Sequence, residues 1–172
     1  MPNVILVDEN DNQIGIEEKL KAHQNGAKLH RCFSIFVFNS KGEMLLQQRA
    51  KTKYHCGTLW SNTCCGHPEP NETTDKAAHR RLQEENGFDC PMKEVFTFTY
   101  KAVLDKGLTE WEFDHVFIGE YNGDVNPDPE EADDYKWILP EEVKADLKAH
   151  PEKYTPWFKI VFDRAMEYKK KN

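Results

Sequence analysis

Gly66 to Phe88 reads GHPEPNETTDKAAHRRLQEENGF, and its second half carries the signals of a capped helix. Thr73 or Thr74 can serve as N-cap, its hydroxyl accepting from a backbone N–H of the first turn. Gly87 stands where a helix ending at Asn86 needs a residue that can turn left-handed. The spacing predicts a helix from about Thr73 to Asn86. Residues three and four apart share a helix face, so Arg81, Glu84 and Glu85 point the same way. Three carboxylates on such a face would hold Mg²⁺ and activate water against a phosphate, which takes hard oxygen ligands. An arginine in place of the first removes two units of negative charge and offers a two-pronged grip on a phosphate instead. That face suits holding a diphosphate more than cutting it. Read alone, an Arg81 that merely pairs with Glu84 or Glu85 on a solvated helix would account for it as well.

Upstream, Ser61 to Pro68 reads SNTCCGHP. Alternate residues of an extended segment share a face, so Cys65 and His67 project together and Cys64 projects the other way. Farther back, Cys32 to Phe38 (CFSIFVF) and Glu43 to Arg49 (EMLLQQR) flank Asn39-Ser40-Lys41-Gly42 and predict a hairpin. Val4 to Val7 predicts a short strand, followed by turn residues at Asp11-Asn12. His23 and His30 sit in KAHQNGAKLH just before the first long strand. Downstream, strands are predicted at Glu94–Leu104, Trp111–Tyr121 and Tyr135–Leu139. Glu110 and Glu112, in TEWEFDHVF, share a strand face. Thr155-Pro156 opens a last helix whose apolar positions include Trp157, Ile160, Val161 and Met166. The Lys-rich end, Lys169 to Lys171, reads as a frayed terminus. Strands and helices alternate irregularly, which predicts an α/β sandwich with mixed sheets.

A length of 172 residues fits one domain with a real core. A net charge of -7 argues against a nucleic-acid partner and leaves room for a small anionic substrate, since a few cations can be gathered locally. The five cysteines follow no framework spacing and the first residues lack a signal pattern, so the reading is a protein of the reducing cytoplasm. No apolar run approaches the roughly 20 residues of a membrane span. The sequence leaves monomer and homodimer both open.

Gly66, Glu72, Arg80, Leu82, Glu84, Glu85, Gly87 and Phe88 stand at the spacing of the Nudix box. The segment resembles that superfamily over its whole loop-helix-loop signature, with Arg81 where Nudix hydrolases carry a glutamate. Taken with SNTCCGHP and the Glu110/Glu112 pair, the chain resembles the type I isopentenyl-diphosphate isomerases from about His23 to Trp157.

The resemblance implies a single Nudix-like α/β/α sandwich over residues 1–172 and metal-dependent exchange of isopentenyl and dimethylallyl diphosphate. It implies a metal site of His23, His30, His67, Glu110 and Glu112, holding Mn²⁺, Zn²⁺ or Mg²⁺; imidazole and carboxylate donors from separate segments suit such a divalent ion. It assigns proton transfer to Cys65 and Glu112, with the Tyr100 hydroxyl assisting Glu112, and such a reaction needs two acid/base groups. It places Trp157 against a carbocation, and Lys19, Arg49, Lys53 and Arg81 on the diphosphate. A Mg²⁺ ion would bridge that diphosphate to Glu85. No flavin or dinucleotide fingerprint is present, so no flavin is expected. His55, His79, His115 and His150 match nothing in the family and read as surface or hydrogen-bonded residues. Two rivals stand beside this reading: a Nudix hydrolase using Glu84 and Glu85, and a catalytically dead binding domain, favoured if Cys65 is buried and inert.

Overall fold

The computed structural model describes residues 2–171; Met1 and Asn172, the ends of the range read as one domain, lie outside them. The elements run β1 (Asn3–Val7), β2 (Gln13–Glu18), α1 (Lys19–Ala22), β3 (His30–Phe38), β4 (Met44–Arg49), β5 (Trp60–Ser61) and β6 (Cys64–Gly66). There follow α2 (Thr74–Asn86), β7 (Met92–Val103), β8 (Thr109–Glu120), β9 (Ala132–Ile138), α3 (Pro140–Ala149) and α4 (Pro156–Lys171).

β3 organises the sheet. β8 pairs with it in parallel from His30↔Glu112 to Phe38↔Glu120 and so occupies one whole edge. The other edge is therefore shared by β1 at His30, β6 at Phe33 to Ile35, and β4 at Phe38. β7 pairs antiparallel with β8, and β9 and β5 with β4. The sheet is mixed, as its irregular element order predicts.

Alternation along β3 sends its apolar side chains to both faces. Phe33, Ile35 and Val37 pack with Ala77, Ala78 and Leu82 of α2. Phe36 and Phe38 pack with Trp157, Phe158, Val161 and Phe162 of α4. Helices thus cover both sides, giving three layers, and a strand buried on both faces reads as the continuous apolar run CFSIFVF. Each fully buried Phe or Ile contributes about 1.5–3 kcal/mol of transfer free energy.

Several expectations need correction. The Asn39–Gly42 turn forms, its Asn39 carboxamide oxygen accepting from the N–H groups of Lys41 and Glu43 at 3.0 Å. Its strands share only the Phe38↔Met44 pair, because β6 takes the edge of β3 that a hairpin would use. α4 continues through Lys171 rather than fraying, and Lys169 reaches Glu120 at 2.7 Å. β2, β5, β6, α1 and α3 carry too few residues or too little periodicity to be predicted.

Candidate active site

β8 inverts the usual order of a half-buried strand. Glu110, Glu112 and Asp114 are buried at 4%, 5% and 1% exposure, while Trp111 and Phe113 on the other face are only partly buried. Taking carboxylates out of water is expensive, so a row of three marks this face of β8 as the candidate functional face.

The histidines reach this row by short local devices. Asn25, Gly26 and Ala27 all adopt positive φ, folding the chain back so that His23, at the end of α1, returns beside His30 at the start of β3. Asn and Gly tolerate that conformation; Ala does so under strain. Both imidazoles are fully buried. The Nδ1 of His23 donates to the Lys19 carbonyl at 2.7 Å, and that of His30 to the Lys28 carbonyl at 2.7 Å. A carbonyl can only accept, so Nδ1 carries the proton in each and Nε2 keeps its lone pair. Neither Nε2 has a hydrogen-bond partner. His67 follows β6 and sets its Nε2 2.9 Å from Glu112 Oε1, while His30 Nε2 is 3.3 Å and His23 Nε2 3.9 Å from the same oxygen.

One ligand atom from each of His23, His30, His67 and Glu112 lies within 4.8 Å of the others. Burial lowers the pKa of His23 and pushes that of His67 down to about 3, so both are neutral and able to ligate. Orphaned lone pairs converging on a carboxylate fit a divalent cation. Glu110, which the family resemblance groups with these four, stands instead beside His23 and His55.

The two glutamates sit in opposite protonation states. Burial, then the charge of Glu112, raises the pKa of Glu110 well above the carboxylate range. Burial opposes ionisation of Glu112 too, but the imidazoles of His30, 3.3 Å away, and of His67, hydrogen-bonded to it at 2.9 Å, outweigh it and hold Glu112 ionised. The Tyr100 hydroxyl donates to Glu112 and lies 3.0 Å from Glu110 Oε2.

Cys65 comes from β6, on the other edge of β3. Its Sγ donates to Asn62 Oδ1 at 3.2 Å and is 3.6 Å from Ser34 Oγ, and burial pushes the thiol pKa up. Cys65 is half-buried and lines the same cavity as Glu112, so it is not sealed in the core. Cys64 points the other way, into the α2 core. The cavity, about 270 Å³, is slightly smaller than the roughly 300–1,000 Å³ usual for small-molecule sites.

Lys19, Arg49, Lys53 and Arg81 all line it. Arg81 is not the free guanidinium that a simple phosphate grip predicts: it donates to Glu84 at 2.7 Å, Glu85 at 2.5 Å and Glu131 at 3.1 Å. Lys53 also pairs with Glu131, a residue the sequence reading missed in the acid-rich run DPEEADD. Glu85 is buried, its second oxygen accepting from Gln47 at 3.2 Å. Gly66 lets this corner close: a Cβ there would meet Phe33 Cζ at 2.7 Å and Arg81 Cγ at 3.3 Å. Arg49 Nε and Trp157 Nε1 are buried donors without partners. The Arg49 guanidinium lies 5.2 Å over the Trp157 ring.

His55, expected as a surface or hydrogen-bonded residue, is instead 4% exposed and edge-on to Trp157. The other three histidines outside the family pattern pair with acids away from the cavity: His79 with Asp89, His115 with Asp11 and Glu94, His150 with Glu152.

Residues 28–158 match the NUDIX domain family. The chain is 50% identical over 169 residues to an isopentenyl-diphosphate Delta-isomerase of Aromatoleum aromaticum, covering 98% of this chain and 89% of that protein. It is 50% identical over 160 residues to one from Photorhabdus laumondii, covering 93% and 90%. A solved Deinococcus radiodurans structure superposes with a TM-score of 0.79 over 94% of this chain and 98% of that one; at 18% identity it speaks for the fold alone.

Proposed function

The chain belongs to the NUDIX domain family and, within it, to the isopentenyl-diphosphate Delta-isomerases, and from that premise we propose how its residues interconvert isopentenyl and dimethylallyl diphosphate, a step of isoprenoid biosynthesis.

The reaction adds a proton at one carbon of the five-carbon chain and removes another two carbons away, so it needs two proton-transfer groups on either side of the substrate. The observation that carries the proposal is that Cys65 and Glu112 come from β6 and β8, the strands on the two edges of β3, and line one cavity. One delivers a proton and the other removes one, leaving the pair with protons exchanged. The resting states suit this: Cys65 holds its proton and Glu112 has lost its own. Tyr100 holds its hydroxyl on Glu112 and near protonated Glu110, giving Glu112 a route by which to exchange protons.

Lys19, Arg49, Lys53 and Arg81 hold the diphosphate, and Glu85 would hold a Mg²⁺ ion that supplies further positive charge to offset it. We assign His23, His30, His67 and Glu112, with Glu110 beside them, to a divalent ion, Mn²⁺, Zn²⁺ or Mg²⁺. Such an ion, when bound, supplies positive charge that keeps Glu112 oriented and ionised. The Trp157 ring faces the cationic intermediate, an interaction worth about 2 kcal/mol in a desolvated site. Moving a double bond by proton transfer is redox-neutral, so the chemistry calls for no flavin. The thiols, all free among the described residues, favour the reducing cytoplasm.

An epoxide analogue of the substrate tests the assignment. Opened by the acid and captured by the base, it should label Cys65 or Glu112, located by peptide mass spectrometry. Labelling confined to other residues would refute the pairing.

A further inference from the structure

His55 lies in the loop between β4 and β5, outside the set His23, His30, His67 and Glu112, yet it is buried and lines the same cavity. Its Nε2 is 3.9 Å from Glu110 Oε1, and its Nδ1 has no hydrogen-bond partner. Its ring stacks on that of His23 with centroids 6.0 Å apart. One ligand atom from each of His23, His55 and Glu110 lies within 4.8 Å of the others.

This second group shares His23 with the first. The Nδ1 of His23 is committed to the Lys19 carbonyl, so His23 has a single free nitrogen, and one lone pair serves one ion. Two separate, simultaneously filled sites are therefore not available to it. We propose, resting on the metal assignment above, that His55 is a further ligand of the same ion, together with Glu110.

Within each group the donor separations suit ligands of one ion, and joining the groups on that ion requires His55 and Glu110 to close toward the other ligands when it binds. Ligands about 2.1 Å from an ion stand roughly 3 Å apart when adjacent and roughly 4.3 Å apart when opposite. The donors here are separated by 2.9 Å (His67 and Glu112), 3.3 Å (His30 and Glu112), 3.9 Å (His23 and Glu112) and 3.9 Å (His55 and Glu110). His55 also explains why Glu110 is drawn away from the other four: its Oε1 faces His55 while its Oε2 faces Tyr100. A fourth imidazole makes the centre richer in nitrogen, which favours Co²⁺ or Zn²⁺ over Mg²⁺.

The test uses Co²⁺ on the full chain. Titration calorimetry on the wild type and on His55→Asn should show affinity for Co²⁺ falling at least tenfold in the variant, since outer-shell changes alone cost 10- to 100-fold. A crystal structure of the Co²⁺-loaded wild type, with the ion located by anomalous scattering, should show a His55 nitrogen about 2.1 Å from it; this readout needs no variant and stands even if His55→Asn does not fold. An ion held by the other residues with His55 beyond about 3 Å, or undiminished Co²⁺ affinity in His55→Asn, would overturn the inference alone. A wild type that binds no Co²⁺ would overturn the metal assignment and this inference with it.

Discussion

Two protons move in each turnover, and the side chains proposed to move them differ in chemistry and surroundings. Neither Cys65 nor Glu112 makes a hydrogen bond with the cations assigned to the diphosphate. Cys65→Ala and Glu112→Gln, assayed at saturating metal, should therefore each lower kcat by about 10² to 10⁴. Pyrophosphate affinity, read by calorimetry, should hardly change. Cys64→Ala is the control, because its side chain is fully buried against α2. An inactive Cys64→Ala beside an active Cys65→Ala would show the register of SNTCCGHP to be misread. Lys19 makes a second test. Burial, with Lys53 and Arg49 adding to it, pushes its pKa down to about 8. The residue is charged below that pH and neutral above it, so kcat/KM should fall as pH rises through about 8. Lys19→Arg, which stays charged, should move the fall upward; a profile flat to pH 9.5 in the wild type would remove Lys19 from the binding site. The residues missed at this scale, His55 and Glu131, had no local signal: one is a lone histidine in a loop, the other one acid among many. Only the fold brings them to the cavity.

At the scale of elements, α2 and β8 were the most legible and the most informative. Thr73 caps α2 and Gly87 ends it at φ 74°, as the sequence predicts. The Arg80–Glu72 pair, two bonds of 2.8 Å, ties the preceding loop to the helix. The Arg81 face behaves as a network: one guanidinium balances Glu84, Glu85 and Glu131, and Lys53 shares Glu131. Arg81→Glu would place a fourth carboxylate among those three and remove a cation from the diphosphate. KM should rise at least tenfold with a smaller change in kcat, as expected for a contact made in ground and transition states alike. Unchanged steady-state kinetics would leave Arg81 a purely structural residue. On β8 the Glu-x-Glu-x-Asp alternation was readable, although only Glu110 and Glu112 were singled out. Asp114, which accepts from Ser34 at 2.7 Å, continues the same face. β5 and β6 were not legible, since two or three residues carry no period, yet β6 presents Cys65.

Across the whole molecule, the parallel pairing of β3 with β8 and the antiparallel pairing with β6 bring Cys65 and Glu112 to one cavity. The α/β sandwich with mixed sheets could be read from the irregular succession of strands and helices, and its three layers were implied by the family resemblance. The order of strands could not, because the Asn39–Gly42 turn signals a local hairpin while the long-range parallel partner of β3 leaves no mark in nearby residues. α2 and α4 seal the two faces of β3, and the proposed site lies at the sheet end where the histidines gather. The most direct test is to incubate the purified protein with Mg²⁺ and Mn²⁺, without flavin, with isopentenyl diphosphate in D₂O, and to follow the mixture by proton and phosphorus NMR. Dimethylallyl diphosphate carrying deuterium, with the diphosphate intact, is the predicted result; unchanged substrate, or release of phosphate without movement of the double bond, would contradict it.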